Sequence, residues 1–205
     1  MRANPNRMEM MRLGRRLSLA RRGHRLLKDK QDELMEKFTE TVKEVRKLRR
    51  ELEELYSGLR GPFMASFYNS TAAGFDSCIR RPPLLPKFKG GETRLMNLRI
   101  PEIQVEFEDR SSSLGSSSVA AAMPVFLEKF REAALTAVEL SNAERRMYMI
   151  AEELQKVRRR VNALEHIFIP RLEETINYIS MQLEEMEREN ITRLMKIKDI
   201  VRKNR

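Results

Sequence analysis

The chain has a single cysteine, no tryptophan and no apolar run long enough to cross a bilayer. Each absence excludes something. One thiol, Cys78, cannot build an internal disulfide framework, and a cysteine-based zinc site needs several thiolates. A reducing compartment, the cytoplasm, is the expected location. Without about 18 consecutive apolar residues there is no transmembrane helix to expect. The stretch from Met1 to Met11 lacks the apolar core of a signal peptide. Aromatic residues make up only 6% of the 205, while charged residues make up 34%. That is too little for a thick core. It suits long helices that bury one narrow seam and leave the rest in water.

What the chain does have is an unbroken heptad stripe. From Leu13 the steps alternate four and three through Leu17, Ala20, His24, Leu27, Gln31, Leu34, Phe38, Thr41, Val45, Leu48, Leu52, Leu55 and Leu59. A period of about 3.5 residues marks a helix packed along one seam against another helix. Gly58, Gly61 and Pro62 then require a kink or a stop, with helix able to resume from Phe63 to Ala73. Residues 1–73 therefore read as a long N-terminal helix. A second stripe fills residues 123–205. It opens at Pro124 and runs through Phe126, Phe130, Ala133, Ala137 and Leu140, then Leu154, Val157, Val161, Leu164 and Phe168. It slips by about one residue to Leu172, Ile176, Ile179, Leu183 and Met186, and the slip is placed at Pro170.

Residues 74–122 change character. Pro82, Pro83, Pro86, Gly90, Gly91 and Pro101 rule out a continuous helix. Leu95 to Ile100 and Ile103 to Phe107 read as two short strands of a small β-hairpin, which needs the helices or a partner to support it. Ser111 to Ser118 reads as a flexible loop. The fold class expected is all-α: a long antiparallel two-helix coiled coil with a small β-hairpin and a loop inserted in the middle. About 80 residues of helix at about 1.5 Å each make a rod of roughly 120 Å. Antiparallel pairing brings the two chain ends to one tip. Both are basic: residues 1–30 hold ten Lys or Arg against Glu9 and Asp29, and residues 186–205 hold seven against three acids. The whole chain carries a net charge of +10 and a pI near 10.0.

No constellation for catalysis stands out. His24 falls on the seam, where a polar residue fixing register is the plain explanation, as for Gln31 and Thr41. His166 lacks the second histidine of a helical zinc motif. The acidic pairs, such as Glu53-Glu54 and Glu184-Glu185, lie on polar helix faces between Arg and Lys. Gly90-Gly91 lacks the Lys and Ser/Thr of a phosphate loop. No catalytic residue, metal or cofactor is expected. The thirteen methionines, several clustered near Met8 and Met147, suit seams that tolerate more than one packing. The basic ends could mark a nucleic-acid-binding or adaptor protein. Aromatic residues for base stacking are missing from the first thirty positions, however. A basic helical tip equally suits an acidic protein cavity.

Three runs carry a resemblance. Arg159-Arg160-Val161-Asn162-Ala163-Leu164-Glu165-His166-Ile167-Phe168-Ile169-Pro170-Arg171-Leu172-Glu173 resembles the signature of the D subunit of V-type and A-type rotary ATPases. Arg22 to Leu34 is similar to the N-terminal motif of that family, and Asn97 to Ile103 to its central strand region. The resemblance covers both helices, and the charge-rich style resembles that of bacterial and archaeal members. It implies a non-catalytic central rotor shaft. The paired terminal helices would enter a hexamer of alternating A and B subunits, with Arg15, Arg16, Arg21, Arg22, Arg193, Lys196 and Arg202 as contacts. The F subunit would sit on the helix near Leu52 and on Leu98, Ile100, Ile103, Val105 and Phe107. The far end would seat on the ring-capping (d/C) subunit of the membrane sector. His24 and Pro170 would be structural, with Pro170 setting the local curvature of the shaft. No nucleic acid and no direct membrane insertion would be involved.

Overall fold

The computed structural model describes residues 6–80, 82–109 and 123–203. In chain order the elements are α1 (Arg7–Asn69), α2 (Ala72–Arg80), β1 (Leu84–Leu95), β2 (Leu98–Asp109), α3 (Met123–Ala163), a π-helical turn (Leu164–Phe168) and α4 (Ile169–Lys203). The fold is all-α apart from one two-stranded antiparallel hairpin. Leu, Arg, Lys, Glu and Ala dominate the long helices, and these residues lose little rotamer freedom there. Every position of the first heptad stripe, Leu13 to Leu59, is buried or half-buried. The period of the sequence thus translates directly into which side chains pack.

The chain divides into two compact units. One comprises residues 1–33 with 154–205, the other residues 34–153. In the terminal unit Leu13, Ala20, Leu172 and Ile179 form a buried cluster, flanked by Met10, Leu17, Ile169, Ile176 and Leu183. Along its cross-helix ion pairs one residue number rises as the other falls: Arg7 with Glu187, then Arg21 with Glu173 at 2.7 Å, then His24 with Glu165 at 3.3 Å. The pairing is antiparallel. In the middle unit Arg49 reaches Glu144 at 2.6 Å and Phe63 packs on Phe126 with ring centres 5.5 Å apart, again antiparallel.

Of the kink or stop expected at Pro62, the stop does not occur: α1 runs on to Asn69. Burial on both sides of the proline, at Leu59 and Ser66, outweighs one missing backbone hydrogen bond. The Ser66 hydroxyl is itself satisfied by donating to the Pro62 carbonyl at 2.7 Å. The short helix α2, capped by Thr71 through its hydroxyl, which accepts from the Gly74 N–H at 3.2 Å, takes up residues expected to be irregular, including Cys78. The hairpin is also longer and differently registered than expected. Leu95 to Ile100 is not one strand: Met96 and Asn97 make the turn, and Leu95 pairs with Leu98. Met96 takes φ 53°, the left-handed conformation a tight hairpin turn demands. Ile103 to Phe107 pairs back onto Gly90 to Pro86 rather than onto Leu95 to Ile100. The loop expected at Ser111 to Ser118 lies outside the described residues.

The register slip has a structural cause one turn earlier than expected. Leu164 to Phe168 is a π-helical turn, closed by the Ile169 N–H donating to the Leu164 carbonyl five residues back. Such a turn inserts one residue into the helix. It carries the seam from Val161 to Leu172, both buried, and rotates Phe168 off it, leaving that ring 48% exposed. The widened turn lies where the Pro170 ring would press on the His166 carbonyl in a regular α-helix.

Candidate functional site

The terminal unit presents its chemistry on the outside. Arg15, Arg16 and Arg22 are exposed and make no ion pair among the described residues, while Arg21 is held by Glu173. On α4, Arg193 leans on Glu189 one turn back at 3.8 Å, and Lys196 and Arg202 are exposed. From Glu184 to Arg202 every residue of α4 is exposed. That includes Ile191, Leu194, Met195, Ile197, Ile200 and Val201, at 53 to 65% exposure. At about 3.6 residues per turn these six cover more than half the circumference of the helix. A two-helix seam needs a far narrower stripe. Contiguous exposed apolar surface of this kind marks a contact surface.

His24 and Pro170 belong to the same unit but do different work. The His24 ring, 20% exposed, sits at hydrogen-bond distance from Glu165 on the first turn of the π-helical segment. It is a polar seam residue with a partner across the seam. Pro170 follows the π turn and opens the regular helix α4.

In the middle unit the hairpin has two unlike faces. Opposed residues share a face, so Pro86 with Phe107, Phe88 with Val105 and Gly90 with Ile103 form one of them. Phe88 and Ile103 are exposed there, and Val105 and Phe107 are half-buried. The other face carries Leu98, Ile100 and Glu102. Ile100 is wholly buried, so this expected contact residue presents nothing to a partner. Leu98 and, on α1, Leu52 are half-buried. The hairpin surface that remains open is therefore Phe88, Ile103, Val105 and Phe107. Phe88 is not among the contacts expected from sequence, because its neighbourhood of Pro and Gly hides the strand it belongs to.

A second surface of the middle unit is aromatic. Phe63, Phe67, Phe75, Phe126 and Phe130 gather five of the nine phenylalanines, with centroid separations of 5.1 to 6.3 Å between contacting rings. Such offset and edge-on pairs are favourable beyond the area they bury. Phe67 and Tyr68 remain largely exposed. A cleft of about 230 Å³ opens beside the rings, lined also by Cys78, Pro82, Pro83 and Met123. Burial pushes the Cys78 thiol up, away from the reactive thiolate. Phe63, Phe67 and Phe75 lie far along the chain from Phe126 and Phe130, and only the pairing of helices brings the two groups together.

Among the described residues no cluster of His, Cys, Asp or Glu could hold a metal ion, and no helix is long and apolar enough to cross a membrane. What the geometry offers is a set of contact surfaces on paired helices. Comparison with known proteins gives these surfaces a setting. The sequence profile of the family described as the D subunit of ATP synthase matches residues 9–199. The D subunit of the V-type ATP synthase of Clostridium novyi is 39% identical over 205 residues, covering 98% of this chain and 95% of the relative. The proteins of that name from Acetivibrio thermocellus and Fusobacterium nucleatum are each 37% identical, over 98% and 100% of this chain and 92% and 98% of their own length. A match running through both helical stretches and the hairpin between them is a match to the whole architecture, and the chain belongs to the family of ATP synthase D subunits.

Proposed function

We propose that this chain is the central shaft of a V-type ATP synthase, a non-catalytic component that carries rotation between a nucleotide-binding head and a membrane ion-translocating ring. The observation that carries the reading is the bare end of α4. Residues 184–202 are exposed throughout and combine a broad apolar stripe with Arg193, Lys196 and Arg202. A helix this apolar on so many sides needs cover from other chains. Cover on several sides is what the cavity of a hexamer of A and B subunits supplies. Exposed arginines such as Arg15, Arg16 and Arg22 add contacts that can exchange partners, since each exposed ion pair contributes about 0–1 kcal/mol. Weak, replaceable contacts let a shaft turn without being trapped.

The hairpin's open face, Phe88, Ile103, Val105 and Phe107 with Leu52 and Leu98 at its border, is the surface we assign to the F subunit. The exposed aromatic cluster at Phe67 and Tyr68 is left for the ring-capping (d/C) subunit. The complex would work at the cytoplasmic face of its membrane. Pro170 and the π turn before it would set the curvature that presses the shaft against one catalytic interface at a time. Unchanged coupling of hydrolysis to rotation in Pro170→Ala would remove that role. The comparisons lend no support to the alternative of a nucleic-acid-binding adaptor.

Reconstitution tests the reading. The purified chain is mixed with the A, B and F subunits, and complex mass is measured by light scattering on a sizing column. One copy per hexamer, with ATPase activity altered by its addition, is expected. Replacing Ile191, Leu194 and Ile197 by Ser should leave the fold intact and abolish that incorporation. Full incorporation of this variant would mean that the bare stripe is not the contact.

A further inference from the structure

We infer that Asn142 and Arg146 of α3 are positioning residues: together they clamp β2 and so aim the hairpin's open apolar face at a protein partner. The inference rests, for the identity of that partner, on the assignment of the face to the F subunit. The clamp itself rests on geometry.

Hairpin pairs alternate between those that exchange backbone hydrogen bonds and those that do not. A two-residue turn makes Leu95 and Leu98 a bonded pair. Counting back, Gly90 and Ile103 are a non-bonded pair, so the Ile103 N–H and C=O point away from β1. These two groups meet one side chain. The Ile103 N–H donates to Asn142 Oδ1 at 2.9 Å, and Asn142 Nδ2 donates to the Ile103 carbonyl at 2.8 Å. A carboxamide holds a donor and an acceptor side by side, as a peptide does. Asn142 therefore stands in for a third strand at one position.

One helical turn on, Arg146 lies on the same side of α3. Its guanidinium reaches Glu102 at 3.2 Å and Glu44 of α1 at 2.8 Å, with only a quarter of the Arg146 side chain exposed. Glu102 and Ile103 are consecutive and point to opposite faces of β2. The strand is thus held by its edge at Ile103 and by its inner face at Glu102, beside the buried Ile100. Two such points on neighbouring residues stop β2 from rolling about its own axis. An isolated two-stranded hairpin has no stable pose. The clamp supplies one, and in that pose Phe88 is 67% and Ile103 48% exposed.

The test uses the full-length chain and two readouts. Residue-resolved amide exchange by NMR follows the Ile103 N–H. Titration with the purified F subunit gives affinity. Asn142→Leu, of similar volume but without donor or acceptor, is expected to speed exchange at Ile103 about tenfold or more and to weaken binding of the F subunit about fivefold or more, with protection across α1 and α3 retained. Arg146→Lys keeps a charge but not the two-armed bridge, and should loosen Glu102 and Ile103 to a lesser degree. Phe88→Ala separates the two layers, because it alters the face and leaves the clamp. If Ile103 exchange is unchanged in both α3 variants, the clamp is refuted. If Asn142→Leu frees Ile103 while Phe88→Ala and Asn142→Leu both bind the F subunit at full strength, the clamp stands and the assignment of the face falls.

Discussion

The terminal and middle units use the same motif, two antiparallel helices, and finish it differently. In the terminal unit the interior is aliphatic and small, built from Leu13, Ala20, Leu172 and Ile179, and the cross-helix ion pairs have exposed partners such as Arg21 and Glu173. Nothing protrudes sideways from its described residues, and beyond Glu184 the α4 surface is bare. In the middle unit the helices carry cargo: a hairpin pinned by Asn142 and Arg146, a short extra helix, and a phenylalanine cluster. The contrast teaches how one simple seam can be finished in two ways. The shaft role we propose asks the terminal unit to slip past changing neighbours, and its bare α4 surface suits that. The same proposal asks the middle unit to grip one neighbour, and its polar clamp and aromatic cluster, which are directional, suit that.

The phase of the seam is the sharpest place to break the terminal unit. The π turn absorbs one residue, so the buried positions on its two sides, Val161 and Leu172, are eleven apart. Deleting Ile167 should let the turn relax to regular α-helix and leave the seam in phase. Deleting Glu174, six residues after the turn, rotates Ile176, Ile179 and Leu183 by about 100° off the seam. Each buried aliphatic side chain is worth about 1.5–3 kcal/mol, so the second deletion should cost more than about 4 kcal/mol and the first far less. Urea denaturation followed by circular dichroism compares them. Equal costs would mean that the π turn is not the phase adjuster. A second comparison sets Ile179→Ala in the terminal unit against Ile150→Ala in the middle unit. Both side chains are fully buried, and either truncation should cost about 2–5 kcal/mol. Amide exchange should show each loss concentrated in its own unit, and uniform loss across the chain would show that the units melt as one.

These elements differ in how well the sequence announces them. The seam from Leu13 to Leu59 is legible because a heptad is a local, repeated signal and each repeat votes for the same phase. The hairpin is legible only as a hairpin. Its register depends on a turn at Met96, a residue that carries no turn signal, and on Pro101 being tolerated inside β2. Pro101 pairs with Glu92 in a non-bonded position, so its missing N–H costs the ladder nothing. The slip near Pro170 is visible as a count that fails, but a count cannot tell a kink from an inserted residue. The basic character of the terminal unit at Arg15, Arg16 and Arg22 is legible from charge, and the family resemblance is what offers these residues as contacts. Asn142 cannot, because its partner is a backbone group about forty positions away, and no pattern in the sequence marks that meeting.

Polar contacts should separate the two units more gently than core truncations do. Arg146 is three-quarters buried between two carboxylates, whereas Arg21 and Glu173 are both well exposed. Arg146→Ala leaves Glu102, itself largely covered, without its cation, and should cost about 1–3 kcal/mol. Arg21→Ala should cost about 0–1 kcal/mol and should be insensitive to everything but salt. A double-mutant cycle on each pair reads the difference. Equal coupling energies would erase this distinction between the two units.

A small effect of the opposite sign is expected at Gly23, and it bears on the surface of the terminal unit. A glycine inside a helix costs about 0.5–1 kcal/mol relative to alanine. Around Gly23 a Cβ would meet nothing within 4 Å, so the chain's own packing gives no reason for the missing side chain. Gly23→Ala should therefore raise the stability of the isolated chain by about 0.5–1 kcal/mol, seen as a rise of a few degrees in Tm. The two adjoining positions, Arg22 and His24, are respectively exposed and seam-facing, which leaves Gly23 on the shoulder between them. If a hexamer wall passes close to that shoulder, the stabilised variant should assemble or turn over less well, and stability and activity will move in opposite directions. If both rise together, the space beside Gly23 belongs to solvent, and the surface of the terminal unit owes nothing to this position.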